Sequence, residues 1–212
     1  MAHRDPARYR KRLTELDLSI DLLGEALDRA AADVRSCTTY DAPAAPGFLF
    51  WSRVNRYLAE SLTPRRWKHT SRDSILRVFH PTGSHAITAI SGEGKIGNLR
   101  AKVRSKNPKG EAMARLVERN GQLAFYTRDE VIYGTELDQV PTWFLLYART
   151  KSSIKAELSL PVKMTGKYVD EWHERIPLDL PDIGDPGSKI HILDEPPPGN
   201  DSPEVVVEVR DE

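Results

Sequence analysis

Ile75 to Ser91 reads ILRVFHPTGSHAITAIS, and the fold class turns on it. Ile75–His80 and His85–Ser91 alternate apolar and polar residues, and Pro81-Thr-Gly-Ser84 lies between them. Proline holds φ at about −65° and glycine accepts a positive φ, so this stretch predicts a β-hairpin. Upstream the apolar residues recur with a helical period, and here the period becomes two. A chain that changes period in this way predicts an α+β fold. We expect an N-terminal helical pair, then a mostly antiparallel sheet with one main packed helix.

Downstream of the hairpin, a polar Gly/Lys-rich stretch extends to Lys106 and a helix follows. Asn107 suits the N-cap, Pro108 the first helical position, and Gly121 after Asn120 a C-terminal stop. Met113, Leu116, Val117 and Asn120 share one face of it. Two further hairpins are predicted, Leu123–Thr127 with Val131–Tyr133 and Thr142–Ala148 with Ile154–Leu160. A short helix is expected near Tyr168–Arg175.

Upstream, Tyr9, Leu13, Leu16, Ile20, Leu23, Leu27, Ala30 and Val34 follow a heptad seam. Such a seam suits a coiled coil that binds a partner or a second copy through residues 9–34. It also suits packing on the chain's own next helix, Phe48–Leu62, where Trp51, Val54, Leu58 and Leu62 share a face. The internal hairpin is the favoured reading. After Pro177 the chain becomes acidic and Pro-rich, with short strand-like pieces at Ile190–Leu193 and Val205–Val209. The expected division is a helical region over 1–65, an α+β core over 66–176 and an acidic tail over 177–212.

Composition narrows the functional classes. With Cys37 as the single cysteine, no internal disulfide framework is possible. The start, MAHRDPARYRKRL, lacks the apolar core of a secretory signal. Trp143-Phe-Leu-Leu-Tyr-Ala148 is far shorter than the roughly 20 residues that span a bilayer. The expectation is a cytoplasmic protein with no membrane contact. The net charge of zero hides a split: residues 1–120 carry 22 Lys/Arg and 13 Asp/Glu, and residues 121–212 carry 9 and 18. The halves are therefore +9 and −9, and the basic half suggests a polyanionic partner.

The hairpin leads into SGEGKIGN, Ser91–Asn98, where Gly92, Gly94 and Gly97 fit the G-x-G-x-x-G phosphate-loop pattern. A dinucleotide site needs a parallel strand before the loop and a helix beginning on its last glycine. Here the preceding strand belongs to an antiparallel hairpin and no such helix follows. The kinase and P-loop motifs are missing as well. Glu93 and Lys95 could join Asp73 in a Mg-dependent nuclease centre. Register decides that reading. With Pro81–Ser84 as the loop, paired residue numbers sum to 165, so Asp73 faces Gly92 and Glu93 points away. With Thr82–Ser84 as the loop, Asp73 faces Glu93. His80 and His85 are cross-strand neighbours in the first register and form a minor metal option without a third ligand.

No decisive catalytic signature is found, and the weight falls on the cations. Lys95, Arg100, Lys102, Arg104, Lys106 and Lys109 lie within fifteen residues. Lys106 and Lys109 flank a helix N-terminus, where the dipole disfavours cations unless an anion is bound. Arg65, Arg66, Lys68 and Arg72 extend the patch, with Trp67 placed to stack on a base. The expected function is a non-catalytic nucleic-acid-associated protein that contacts the DNA or RNA backbone, with no cofactor. The alternative is a protein-interaction module using the heptad helix and the acidic tail.

Overall fold

Trp143-Phe-Leu-Leu-Tyr147 is apolar at every position because both faces of its strand are covered. The computed structural model describes residues 6–124, 140–150 and 153–180. In chain order the elements are α1 (Pro6–Glu15), α2 (Ile20–Val34), α3 (Ala45–Leu62), β1 (Lys68–Arg72), β2 (Ile75–Phe79), β3 (Ala86–Gly94), β4 (Val103–Ser105), α4 (Glu111–Ala124), β5 (Thr142–Arg149), β6 (Ile154–Thr165) and β7 (Tyr168–Leu178). The strands form one sheet in the order β1-β2-β3-β5-β6-β7, with β4 paired to the far end of β3. All pairs are antiparallel except β3–β5. That parallel pair needs a long crossover, and β4 and α4 lie within it. The fold is α+β, as the change of period predicts.

The sheet separates two apolar layers. Trp143, Leu145 and Tyr147 join Val78, Ile87 and Ala89 against the helices α1–α3. Phe144 and Leu146 face the other way, onto Met113 and Val117 of α4 and Val103 of β4. The hairpin between β2 and β3 adopts the four-residue loop: Val78 pairs with Ile87 and Phe79 with Ala86, both summing to 165.

The N-terminal seam is not one helix. Asp17 takes a left-handed φ of 54°, which ends α1, and the Ser19 hydroxyl caps α2 by accepting the Leu22 amide at 3.2 Å. The apolar spacing crosses this break because both helices bury their stripes in the same core. Leu13, Leu23, Leu27 and Ala30 are each 1% exposed or less. The structure is the internal hairpin, with α2 against α3, and not a coiled coil.

Four further expectations are corrected. Tyr168–Arg175 is strand, part of β7, and Pro177 continues that strand to Leu178 instead of opening a tail. A proline is tolerated there because β7 is an edge strand. The helix after the basic stretch begins at Glu111, so Asn107 and Pro108 precede it. It also continues through Gly121, where α4 sits so close to β6 that a Cβ would lie 2.6 Å from the Val162 carbonyl oxygen. The glycine serves close approach, not termination. The proposed 123–133 hairpin falls mainly outside the described residues, as does the tail beyond Leu180.

Two buried asparagines complete the sheet. The Asn55 side chain accepts the Ala89 amide at 3.0 Å and donates to the Ala89 carbonyl at 3.1 Å. Asn120 does the same for Thr142, at 2.9 and 2.8 Å. Both sites are places where a strand lacks a backbone neighbour. The β5–β6 register sums to 303 and pairs Phe144 with Ser159, so it would set Thr142 opposite Pro161, which has no N–H. Similarly, β2 leaves β3 after Val78↔Ile87, and Ala89 would otherwise face nothing. An orphaned buried amide costs about 1–3 kcal/mol, which each asparagine removes.

Candidate nucleic-acid interface

The glycine loop does hold an anion, but the anion is the protein's own. Glu157 on β6 is fully buried. Its Oε2 accepts the Gly97 amide at 2.8 Å, and its Oε1 accepts the Ser159 hydroxyl at 2.8 Å. Arg175 on β7 completes the carboxylate's partners, with Nε and Nη2 each at 2.7 Å. The same guanidinium donates to the Ala101 carbonyl at 2.9 Å and to that of Asn98 at 3.3 Å. Burying a carboxylate is tolerated only when every lone pair is met and the charge is balanced, and this arrangement meets both conditions. Residues 97–101 are thereby tied to the sheet.

The glycines fit that structural role. Gly94 and Gly97 have φ of 94° and 80°. A Cβ on Gly92 would lie 2.5 Å from Leu146 and 2.6 Å from Ile96. Sequence reasoning passed over Glu157 and Arg175. In Ile154–Leu160 the polar residues Lys155, Glu157 and Ser159 alternate with apolar ones, so the local pattern does not mark Glu157 as buried.

The clamped loop displays Lys95, Arg100 and Lys102, all exposed. Among the described residues their side chains have no ion-pair partner. Arg104 is exposed too, but it pairs with Glu93 across β3 and β4 and lies 4.5 Å from the Tyr168 ring. Lys106 is exposed, with its backbone amide on the Ser91 carbonyl. Lys109 is half-buried, and its amide donates to the Lys167 carbonyl. Since α4 starts at Glu111, an acidic residue occupies its first turn. The Glu111 carboxylate thus already complements the helix dipole beside residues 107–110, where the sequence predicts a phosphate.

Most of the rest of the sequence-predicted patch lies elsewhere. Lys68 pairs with Phe79, and Phe79 with Ala86 at the start of β3, whereas Lys95 follows the end of β3. A nine-residue strand puts these groups roughly 30 Å apart. Arg65 is paired with Asp17 at 2.6 Å, Arg66 is exposed at the end of a short 3₁₀ turn, and Arg72 is exposed at the end of β1. Trp67 is 2% exposed and donates to Asp17 at 3.2 Å, so it is core and not a stacking platform.

The remaining options are also accounted for. Asp73 lies in the turn between β1 and β2 with φ 53°, 3.7 Å from Arg115. Glu93 is held by Arg104. Because β2 pairs with β3 only at Val78 and Phe79, no ladder sets Asp73 opposite Glu93, and the nuclease arrangement is not formed. His80 and His85 stack with ring centroids 4.9 Å apart. His85 Nε2 donates to the Leu16 carbonyl at 3.1 Å, and its Nδ1 is 2.9 Å from the Ser84 hydroxyl. His80 Nδ1 accepts the Thr82 amide at 3.2 Å. These nitrogens serve the turn and do not converge on an ion. Among the described residues no three or more His, Cys, Asp or Glu cluster as a metal site. No described helix is long and apolar enough to cross a membrane. Compared with known proteins, the chain matches no family model, no curated protein and no solved structure.

Proposed function

We propose that this is a non-catalytic protein that contacts a nucleic-acid backbone through the clamped loop between β3 and β4. The observation that carries this reading is the fixed presentation of Lys95, Arg100 and Lys102 by the buried Glu157–Arg175 pair. Three exposed cations with no carboxylate partner among the described residues gain most from phosphates. Holding them on a tied loop reduces the entropy lost on binding. Glycines close to the sheet and an ordered backbone at residues 97–101 serve that presentation. Lys106 extends the same row.

The reading is tested by fluorescence anisotropy with labelled single- and double-stranded DNA and RNA across a salt titration. Binding should be present at about 50 mM salt and weaken steeply as salt rises. Substituting Lys95, Arg100 and Lys102 together by Ala should flatten the logarithmic salt slope by about two to three. A protein that binds none of the four probes at low salt, or a triple variant with an unchanged slope, defeats the proposal.

A further inference from the structure

A fork in the sheet creates a second feature, independent of the basic loop. β2 pairs with β3 over only Val78↔Ile87 and Phe79↔Ala86, then follows β1 away to Ile75. β4 does not join β3 until Gly92. Between these points the edge of β3 at Thr88–Ile90 is open. Asn55 and the Trp51 indole, which donates to the Ala89 carbonyl at 3.2 Å, satisfy the strand there.

Over this opening lies a cleft of about 220 Å³. Thr88–Ile90 form its floor, Ser74–Leu76 one wall, Pro108–Gly110 with Ala112 and Met113 the other, and Trp51 its end. The lining is apolar apart from a few groups. The Thr88 hydroxyl is already bonded to Asn55 at 3.3 Å, and Asp73 lies at the rim with Arg115. Lys109 is the remaining charge. It is half-buried in the wall, and among the described residues its ammonium has neither a carboxylate nor a hydrogen-bond acceptor. Burial lowers its pKa, and no neighbouring charge contributes. A half-buried ammonium without a counter-charge is costly, and a bound anion relieves that cost. Beside Trp51, at a centroid distance of 5.6 Å, Phe48 is 67% exposed, which adds a second aromatic ring to the apolar face of Trp51.

We infer that the fork cleft binds a small monocarboxylate with a compact, flat apolar body, its carboxylate on Lys109 and its body against Trp51, Ile90 and Met113. The single ammonium of Lys109 matches one negative charge and not a phosphate dianion. A dry cavity of about 150 Å³ accepts a benzene ring, so the observed volume holds a ring and one carboxylate. The inference does not rest on the nucleic-acid reading, and either can fail alone.

Benzoate is the probe, with benzyl alcohol as its neutral counterpart and inorganic phosphate as the purely anionic one. Two-dimensional amide NMR of the full chain reports the site. Benzoate should shift the Trp51 indole and the Ala89, Gly110 and Ala112 amides saturably, with a Kd of about 1 mM or tighter. Benzyl alcohol should bind at least about tenfold more weakly, and phosphate should leave these signals in place. Lys109→Met should abolish the preference for benzoate over the alcohol. Ala112→Phe, which fills the cleft without touching the charge, should block both. The inference is overturned if benzoate gives no saturable shift at these groups, if phosphate shifts them as strongly, or if Lys109→Met keeps the preference.

Discussion

His85 shows how one side chain ties distant parts of the chain together. It is 5% exposed, and its Nε2 proton fastens the α1–α2 turn to the start of β3. Burial, reinforced by the charge of neighbouring His80, lowers its pKa from 6.5 to about 4. His80 is lowered as well, again chiefly by burial. The folded state therefore binds fewer protons than the unfolded chain between these values. Stability from His85 is complete above pH 6.5 and is lost as the pH falls towards 4. The loss is on the order of 3 kcal/mol, since each pKa unit corresponds to about 1.4 kcal/mol. Urea unfolding at pH 7 and pH 4.5 should show it, and His85→Gln, which keeps a donor for Leu16, should reduce the difference. An equal pH dependence in both proteins would assign the effect to other groups.

At the scale of elements, the loop between β3 and β4 is only as well positioned as the pair beneath it. Arg175→Met leaves the Glu157 carboxylate buried with two weaker donors and should destabilise by about 3–5 kcal/mol. The double variant Glu157→Leu/Arg175→Met removes both charges and should recover most of that loss. It should nevertheless exchange the amide hydrogens of Gly97 and Ala101 faster, because the loop has lost its ties. Stability by urea titration and hydrogen exchange separate the two effects. A double variant as unstable as the single one would show that the ion pair is not the source. The elements themselves were unevenly legible. The β2–β3 hairpin was readable from its Pro/Gly turn, but its register was not, because loops of three and four residues both suit that turn and only the observed pairing selects the longer one. β7 was misread because its bulges against β6 break the period of two, so Val169, Trp172 and Ile176 acquire helix-like spacing. The break at Asp17 was hidden because the apolar spacing continues through it. Glu157 and Arg175 meet only through β6–β7 pairing, which no local pattern reveals.

For the whole molecule, the charge asymmetry is the property to test. Residues 181–212 hold 9 Asp/Glu and 2 Lys/Arg, so removing them changes the net charge from 0 to +7. Under the proposed function, this truncation should tighten binding to DNA or RNA at low salt and leave the thermal midpoint of the core unchanged. Unchanged affinity would show that the acidic segment does not oppose the basic loop. The overall class was legible because periodicity reports which faces are buried. The site was only partly legible. Arg65, Trp67 and Lys95 belong to one basic stretch of the sequence, but the length of β3 separates Lys95 from the other two.

Asn120 precedes Gly121, the dipeptide in which the backbone nitrogen most easily attacks the side-chain amide to form a succinimide and release ammonia. In the fold that route is closed, because both ends of the amide are held by Thr142 and the backbone is helical. In the unfolded chain it is open. Each excursion from the native state thus exposes a chemical clock, and conversion to aspartate replaces a donor facing the Thr142 carbonyl with an acceptor. A chain that stays unfolded too long loses a bond it needs to return, so the shelf life of this protein depends on how rarely it opens.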